Sequence, residues 1–173
     1  MIYDRFQQEA IDYINQGFSV IVSAPTGSGK TAIAEHVIET SLKTNVGVIY
    51  TAPVKALSNQ KFRDFQEQFA EKIGILTGDV SINPDAPVLI MTTEIFRNKV
   101  LDEPISLQKY SWIIFDEIHY IDNQERGTVW EESLIFLPKH MNLLGLSATI
   151  PNIKEFAEWI ASIHNKTVKI VIE

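Results

Sequence analysis

Short apolar runs alternate along the chain with amphipathic stretches. Several of the runs are almost continuously hydrophobic, which is typical of strands that are covered on both faces. The predicted strands are residues 19–23, 46–51, 73–77, 88–92, 112–115, 143–147 and 168–172. The predicted helices are residues 7–15, 31–42, 55–69, 93–101, 128–137 and 152–163. Repeated strand–helix–strand units predict an α/β fold with a mostly parallel sheet and helices on both faces.

Length and composition narrow the class of protein. The 173 residues suffice for one domain with its own core, so we expect residues 1–173 to form a single domain. The chain has no cysteine, which excludes disulfides and thiolate metal sites and fits a reducing compartment. The N-terminus lacks the apolar core of a secretion signal, and no apolar run approaches the roughly 20 residues that span a bilayer. We therefore expect an intracellular protein without a membrane partner, in the cytoplasm or, in a eukaryote, the nucleus.

The charge of the chain restricts how it can meet nucleic acid. Its formal net charge is -7. Neutralising a phosphate backbone requires clustered Lys and Arg, so this charge argues against a broad nucleic-acid surface. Any nucleic-acid site must be local or completed by another domain.

A glycine-rich segment follows the first predicted strand and precedes a predicted helix. Its sequence is Ala24-Pro25-Thr26-Gly27-Ser28-Gly29-Lys30-Thr31. The glycines let backbone N–H groups turn toward phosphate oxygens, and the helix N-terminus adds a positive dipole end. We expect Lys30 to reach the β- and γ-phosphates of ATP and the Thr31 hydroxyl to bind Mg²⁺. Ala24 replaces the glycine of the strict pattern, and the alternative interpretation is a glycine-rich turn that caps a helix.

Two carboxylates follow the apolar run at residues 112–115. Asp116 and Glu117 are expected at the carboxyl edge of the sheet, where the glycine-rich loop also opens and where open α/β sheets bind ligands. We expect Asp116 to hold the magnesium through water and Glu117 to position and deprotonate the attacking water. Without the glycine-rich loop, a pair of surface acids is the simpler interpretation.

His119 follows Glu117 by two residues and suggests a coupling contact. Such a histidine would contact Ser147-Ala148-Thr149, which also leaves a predicted strand. The alternatives are a buried histidine without a chemical role and, for Ser147 and Thr149, hydroxyls that cap a helix.

Several segments together resemble superfamily-two helicases of the DExH type, in particular the superkiller class of RNA helicases that assist the exosome. In chain order they are APTGSGKT, TAPVKALSNQKFRDF, TGDVSINPDAPVLIMTTEIFR, FDEIHYIDNQERGTVWEE and LLGLSATIPNIKEFAEWI. The first, fourth and fifth match motifs shared widely among helicases. GDVSINPDA, and ERGTVWEE after DEIH, narrow the resemblance to the subclass. It implies a RecA-like domain of the P-loop NTPase fold.

The resemblance also implies roles for individual residues. Gln7 would recognise adenine, and residues 24–31 would bind ATP. The implied catalytic residues are Lys30, Asp116, Glu117 and His119, with Thr31 and Asp116 at the metal. The implied coupling residues are His119, Ser147, Ala148 and Thr149. The residues implied to hold the nucleic-acid backbone are Pro53, Lys55, Ala56, Leu57, Gln60, Thr92, Thr93 and Glu94.

The residues at 51–55 support a backbone contact on their own. They follow a predicted strand and open a predicted helix, which places N–H groups and Lys55 to hold a phosphate. An amphipathic helix after a turn is the alternative. Contacts through N–H groups and hydroxyls need few cations, which is compatible with the negative net charge.

Two expectations concern the extent of the chain. It ends shortly after the predicted strand at 168–172, so we expect the second RecA-like domain of the family, with its arginine fingers, to be absent. Such fingers contribute on the order of a thousandfold or more to phosphoryl transfer, so the isolated chain should hydrolyse ATP feebly and not unwind duplexes. Upstream of Gln7, the aromatic residue that stacks on adenine in relatives is absent or replaced by Tyr3.

The leading hypothesis is the motor domain of an ATP-dependent RNA helicase, 3′-to-5′ on single-stranded RNA, acting in RNA decay or processing. Its expected partners are the second RecA-like domain of the full-length protein and an exosome-type complex. The first alternative is a DNA helicase of a related DExH branch, in repair or fork restart, because the two share every motif that does chemistry. The second is a nucleotide-dependent binding module without motor activity, although such a module would not need Glu117.

Overall fold

The computed structural model describes residues 1–119 and 127–173. Its strands are β1 (Ser19–Ser23), β2 (Gly47–Ala52), β3 (Ile73–Leu76), β4 (Ser81–Ile82), β5 (Val88–Thr92), β6 (Tyr110–Phe115), β7 (Asn142–Ser147) and β8 (Val168–Ile172). Its α-helices are α1 (Arg5–Asn15), α2 (Thr31–Lys43), α3 (Lys55–Phe69), α4 (Thr93–Asp102), α5 (Gly127–Ile135) and α6 (Ile153–His164). Short 3-10 helices lie at Ala70–Lys72 and Pro104–Leu107. Within these described ranges, no helix combines the length and apolar character needed to cross a membrane.

The strands form one sheet in the order β4-β3-β5-β2-β6-β7-β1-β8. Neighbouring strands run parallel, except β3 and β4, which pair antiparallel. The mostly parallel α/β fold predicted from the sequence is therefore confirmed. The sequence does not predict β4, because its two residues, Ser81 and Ile82, are exposed and form no apolar run.

Both faces of the sheet are covered by helices. Successive strand residues point to opposite faces, so β1 feeds two hydrophobic cores. Val20 and Val22 join the core with side chains of α1, α2 and α3, whereas Ile21 joins the core with side chains of α4, α5 and α6. Burial on both faces explains why the strands are continuous apolar runs rather than alternating ones.

Local polar contacts set the helix ends that hydrophobic periodicity misses. α1 begins at Arg5, before the predicted residue 7, because the side-chain oxygen of Gln7 accepts the N–H of Asp4 at 2.8 Å. It ends at Asn15, and Gly17 then turns the chain with a φ of 88°, in the left-handed region that favours glycine. α6 begins at Ile153, one residue later than predicted, after Asn152 at a φ of 60°.

We expect Gly74→Ala to destabilise the fold by about 1–3 kcal/mol, the usual cost of overpacking. An alanine Cβ at this position of β3 would lie 2.0 Å from the carbonyl oxygen of Asn83, so the backbone itself must shift. Urea denaturation followed by circular dichroism measures the loss. The matched control is Gly78→Ala, whose nearest contact would be the Lys55 ammonium at 3.6 Å. Equal unfolding midpoints for the two variants would contradict the clash.

Candidate functional site

The predicted functional segments meet at one edge of the sheet. Because β5, β2, β6, β7 and β1 are parallel neighbours, their carboxyl ends lie side by side. The glycine-rich loop follows β1, the acidic pair follows β6, and Ser147-Ala148-Thr149 leaves β7 between them. The segments predicted to contact nucleic acid follow β2 and β5. The expectation that the loop and the acidic pair open on the same edge is confirmed.

The glycine-rich loop curls around the ammonium group of its own lysine. Gly27 and Gly29 adopt φ angles of 81° and 93°, which residues with a Cβ seldom adopt. Lys30 donates to the carbonyl oxygens of Ala24 at 2.6 Å and Pro25 at 2.9 Å. Ala24 stands where the strict pattern has glycine. It is fully buried, and its N–H donates to the carbonyl oxygen of Ser147 at 3.0 Å, so the fold accommodates the methyl group at this position.

Two observations fit an anionic ligand in this loop. The Ser28 hydroxyl is buried and has no hydrogen-bond partner among the described residues, which is the state of a group that an absent ligand would satisfy. Burial lowers the pKa of Lys30, while the negative charges of Glu117 and Asp116 oppose that shift. The lysine and both carboxylates therefore share one electrostatic environment. Phosphate oxygens would balance the positive charge of Lys30, and a divalent cation would balance the negative charges of the two carboxylates.

Gln7 lies against the loop rather than in open solvent. Its side chain is 7% exposed, and its amide nitrogen donates to the carbonyl oxygen of Gly29 at 2.8 Å. Its amide oxygen accepts the N–H of Asp4. Gln7 thus ties the start of α1 to the glycine-rich loop, and its role in recognising adenine stays a prediction.

The Asp116 carboxylate is held from two sides. Its Oδ1 accepts the N–H of Glu117 at 2.9 Å, and its Oδ2 accepts the hydroxyl of Tyr50, which is fully buried on β2. Burial and the charge of Asp116 raise the pKa of Tyr50 well above its usual range, so the phenol stays a donor. Sequence reasoning missed Tyr50. A tyrosine within the apolar run of β2 could have drawn attention to it, because a buried phenol usually has a hydrogen-bond partner.

The predicted metal ligands are oxygens of the kind that Mg²⁺ prefers. A carboxylate, Asp116, and a hydroxyl, Thr31, are hard donors, and magnesium is commonly held by one or two such groups together with substrate phosphates. The Thr31 hydroxyl accepts from the Lys61 ammonium at 3.3 Å. Lys61 lies on α3, and sequence reasoning missed this residue too.

A line of close polar contacts runs from Glu117 through His119 to the end of β7. Glu117 has a φ of 56° and its Oε2 lies 3.1 Å from His119 Nε2. His119 Nδ1 lies 3.4 Å from the N–H of Ala148, which can only donate, and 3.3 Å from the Ser147 hydroxyl. His119 thus presents Nδ1 to the end of β7 and Nε2 to Glu117.

The structure places His119 against the end of β7, as expected, and the role of this histidine in coupling stays a prediction. Ser147 is fully buried at the end of β7, and its hydroxyl meets His119 instead of capping a helix. The helix-capping interpretation of Ser147 and Thr149 is wrong, because α6 begins only at Ile153 and its N-cap is Asn152. Thr149 is exposed beside these contacts.

A cavity of about 830 Å³ lies beyond the ends of β2 and β5. Most of the residues predicted to hold a nucleic-acid backbone line it, namely Pro53, Lys55, Ala56, Thr92, Thr93 and Glu94. Further lining residues are Val54, Gly78, Ile95, Val129 and Trp130. Leu57 and Gln60 lie on α3 and do not line the cavity.

The cavity is lined by hydroxyl groups and by one ammonium group. The Thr93 hydroxyl is buried and has no partner within the described part of the chain. Thr92 caps α4 by accepting the N–H of Ile95 at 3.4 Å. Lys55 pairs with Asp79 at 2.7 Å, and both side chains are exposed. Such groups suit a phosphodiester backbone better than an apolar ligand.

The segment that narrows the resemblance to the superkiller class falls partly outside the described residues. Glu125 and Arg126 of ERGTVWEE belong to residues 120–126. The rest of the segment opens α5, where Trp130 is buried and packs on Phe115 with ring centroids 5.2 Å apart. Trp130 thus connects the cavity lining to β6, the strand that Asp116 follows.

Curated relatives match nearly the whole chain. It is 52% identical over 168 residues to the DExH-box ATP-dependent RNA helicase DExH9 of Arabidopsis thaliana, covering 97% of this chain and 17% of the relative. It is 49% identical to the antiviral helicase SKI2 of Saccharomyces cerevisiae, covering 97% and 13%, and 48% identical to the exosome RNA helicase MTR4 of Homo sapiens, covering 98% and 16%. The chain therefore spans less than a fifth of the length of these relatives.

Solved helicases share the fold. A structure of the Mycobacterium smegmatis helicase Lhr bound to single-stranded DNA and AMP-PNP superposes with a TM-score of 0.77 at 26% identity, over 97% of this chain and 25% of that one. A crystal structure of the DUF1998 helicase MrfA bound to DNA gives a TM-score of 0.81 at 19% identity, over 99% and 27%. The DEAD/DEAH box helicase family matches residues 4–156. This match covers most of the chain, whose glycine-rich loop, acidic pair and His119 lie at one sheet edge, and the chain therefore belongs to the DEAD/DEAH box helicase family.

Proposed function

We propose that this chain is the ATP-binding motor domain, the first RecA-like domain, of an ATP-dependent RNA helicase. One contact carries this proposal. The N–H of Asp116 donates to the carbonyl oxygen of Thr51 at 3.0 Å, which joins the acidic pair to the strand that leads into the cavity at Pro53 and Lys55. A nucleotide site and a nucleic-acid site that share a strand boundary are suited to exchange small displacements.

In the nucleotide site, residues 24–31 bind the phosphates of ATP, and Lys30 neutralises their charge. Thr31, and Asp116 through water, would hold Mg²⁺, which would supply charge neutralisation at the phosphates. Glu117 positions and deprotonates the attacking water, and its contact with His119 relays its state to Ser147 and Ala148. The orphan Ser28 hydroxyl and the shared electrostatic environment of Lys30, Glu117 and Asp116 support this assignment.

In the nucleic-acid site, the cavity-lining residues hold the backbone of single-stranded RNA. Two of the reported relatives, 52% and 48% identical, carry RNA helicase in their names, whereas the solved structures bound to DNA are 19–26% identical. This difference favours RNA over DNA. By the same likeness we propose 3′-to-5′ movement, an exosome-type decay complex and the second RecA-like domain of the full-length protein as partners, and an intracellular location.

We expect the chain to bind a single-stranded RNA oligonucleotide more tightly than the DNA of the same sequence, and Lys55→Ala to weaken RNA binding. Loss of one phosphate contact should reduce the slope of log affinity against log salt by about 1. Asp79→Asn frees Lys55 from its ion pair and should leave the slope intact while affinity holds or rises. Fluorescence anisotropy across a salt series, with AMP-PNP and Mg²⁺ present, measures all three proteins.

Each outcome of this experiment separates two functions. Tighter binding of DNA than of RNA would favour the DNA helicase alternative. An unchanged slope for Lys55→Ala would remove Lys55 from the nucleic-acid site. Nucleotide binding without any binding of either strand would favour a nucleotide-dependent binding module.

A further inference from the structure

The Tyr50 hydroxyl is one of two hydrogen-bond donors that hold the carboxylate of Asp116. Tyr50 is fully buried, and its hydroxyl donates to Oδ2 of Asp116. The other carboxylate oxygen, Oδ1, accepts the N–H of Glu117. One donor on each oxygen fixes the rotation of the carboxylate about its Cβ–Cγ bond. An ionised carboxylate has about four lone-pair sites, so this arrangement leaves acceptor capacity on both oxygens.

The strand register places Tyr50 where this contact can form. β2 and β6 are parallel neighbours, and Tyr50 is aligned with Ile114, two residues before Asp116. The Tyr50 ring packs edge-on against Phe65 of α3, with centroids 5.3 Å apart and planes at 79°. Packing of this kind restricts the ring to one orientation, so the hydroxyl is a fixed donor rather than a mobile one.

The same helix also reaches the other predicted metal ligand. On α3, Lys61 lies over the Phe65 ring at 5.9 Å and donates to the Thr31 hydroxyl at 3.3 Å. Tyr50 therefore belongs to a packed layer that stands behind both Thr31 and Asp116. A layer of this kind sets the distance between two ligands that must meet at one ion.

We infer that Tyr50 is a positioning residue for magnesium, acting through the orientation of Asp116. The inference rests on the proposed function, because it takes Asp116 as the ligand that holds the ion. Tyr50 itself does not touch the metal. Partners that orient metal ligands typically contribute 10–100-fold to metal affinity. Without the phenol, the carboxylate can rotate away from the geometry that octahedral magnesium demands.

The test is a Mg²⁺ titration of nucleotide binding by the chain and by Tyr50→Phe. A fluorescent ATP analogue reports binding, and each titration gives the Mg²⁺ concentration at half-maximal enhancement. We expect Tyr50→Phe to raise this concentration about tenfold. Affinity for the analogue in EDTA should not change. Phenylalanine fills the same space, so the near-ultraviolet circular dichroism should remain that of a packed core.

Two controls make the result specific. Tyr110→Phe removes the same atom from a buried tyrosine at the far end of β6 and should leave the Mg²⁺ midpoint unchanged. In an Asp116→Asn background, adding Tyr50→Phe should produce no further shift, since both changes act on one contact. A full additional shift in that background would show that Tyr50 acts elsewhere and would overturn the inference.

The failure of this inference is distinguishable from failure of the proposed function. If the unmodified chain binds the analogue with no Mg²⁺ dependence, the proposed magnesium site is wrong and the inference goes with it. If the unmodified chain shows the dependence and Tyr50→Phe matches it, only the role of Tyr50 is overturned.

Discussion

Replacing Glu117 with Gln should slow ATP hydrolysis by about 100-fold or more while nucleotide binding stays within about twofold, as general-base catalysis contributes roughly 10²–10⁴-fold. The carboxylate takes a proton from the attacking water, and an amide cannot. Glutamine has the same shape and can keep the contact with His119, whose Nε2 lies 3.1 Å from Oε2 of Glu117. The substitution therefore tests the removal of the proton from water separately from the contact between residue 117 and His119.

The backbone at Glu117 strengthens this expectation. Its φ of 56° is uncommon for a residue with a Cβ and is held because Asp116 Oδ1 accepts its N–H and Ile118 is fully buried. Residues whose surroundings hold the backbone in such a conformation are concentrated at active sites and ligand-binding sites. A glutamine at position 117 would be directed the same way by this backbone. A loss of hydrolysis rate would therefore reflect the loss of a basic carboxylate.

Single-turnover hydrolysis, with the chain in excess over radiolabelled ATP, measures even slow rates. The matched control is Glu158→Gln, which removes the same charge from an exposed position of α6 and should leave the rate unchanged. A Glu117→Gln chain that hydrolyses ATP at the unmodified rate would exclude Glu117 as the base. Loss of nucleotide binding would instead assign it a binding role.

Hydrophobic pattern predicted the architecture because this sheet is buried on both faces. The bounds of β1, β5, β8 and α3 agree with those predicted, since each is an apolar or amphipathic stretch with clear ends. The strand β4 escaped prediction because it is two exposed residues held by antiparallel pairing to β3. Such an element depends on a partner strand rather than on its own sequence.

Some residues of the candidate site could be predicted from the sequence, whereas others depend on contacts between distant segments. Residues within contiguous motifs, such as Lys30, Asp116 and His119, could be singled out as candidates because their spacing in the sequence is typical of the chemistry. Tyr50 and Lys61 could not, because their contacts depend on the register of β2 against β6 and on how α3 packs across α2. The order of strands, in which β2 lies beside β6 and β7 beside β1, is also a property of the whole sheet.

Replacing Lys30 with Ala should weaken binding of Mg²⁺-ATP by about 10–100-fold, since a hydrogen bond to a charged group is worth roughly 1.5–3 kcal/mol. Lys30 is the cation of the loop, and it faces Glu117 and Asp116. Its removal deprives the phosphates of their counter-charge and leaves the two carboxylates to repel them. Hydrolysis should fall with binding.

The dependence on phosphate number distinguishes this role from a general loss of folding. Because Lys30 is assigned to the β- and γ-phosphates, the variant should lose affinity for ATP and ADP but bind AMP like the unmodified chain. The matched control is Lys43→Ala, at the exposed last turn of the same helix α2. Isothermal titration calorimetry with the three nucleotides makes the comparison. Lys30 donates to the carbonyl oxygens of Ala24 and Pro25 and so also holds the loop in shape. Equal losses for AMP and ATP would therefore mean that the alanine collapses the loop rather than removing a phosphate contact.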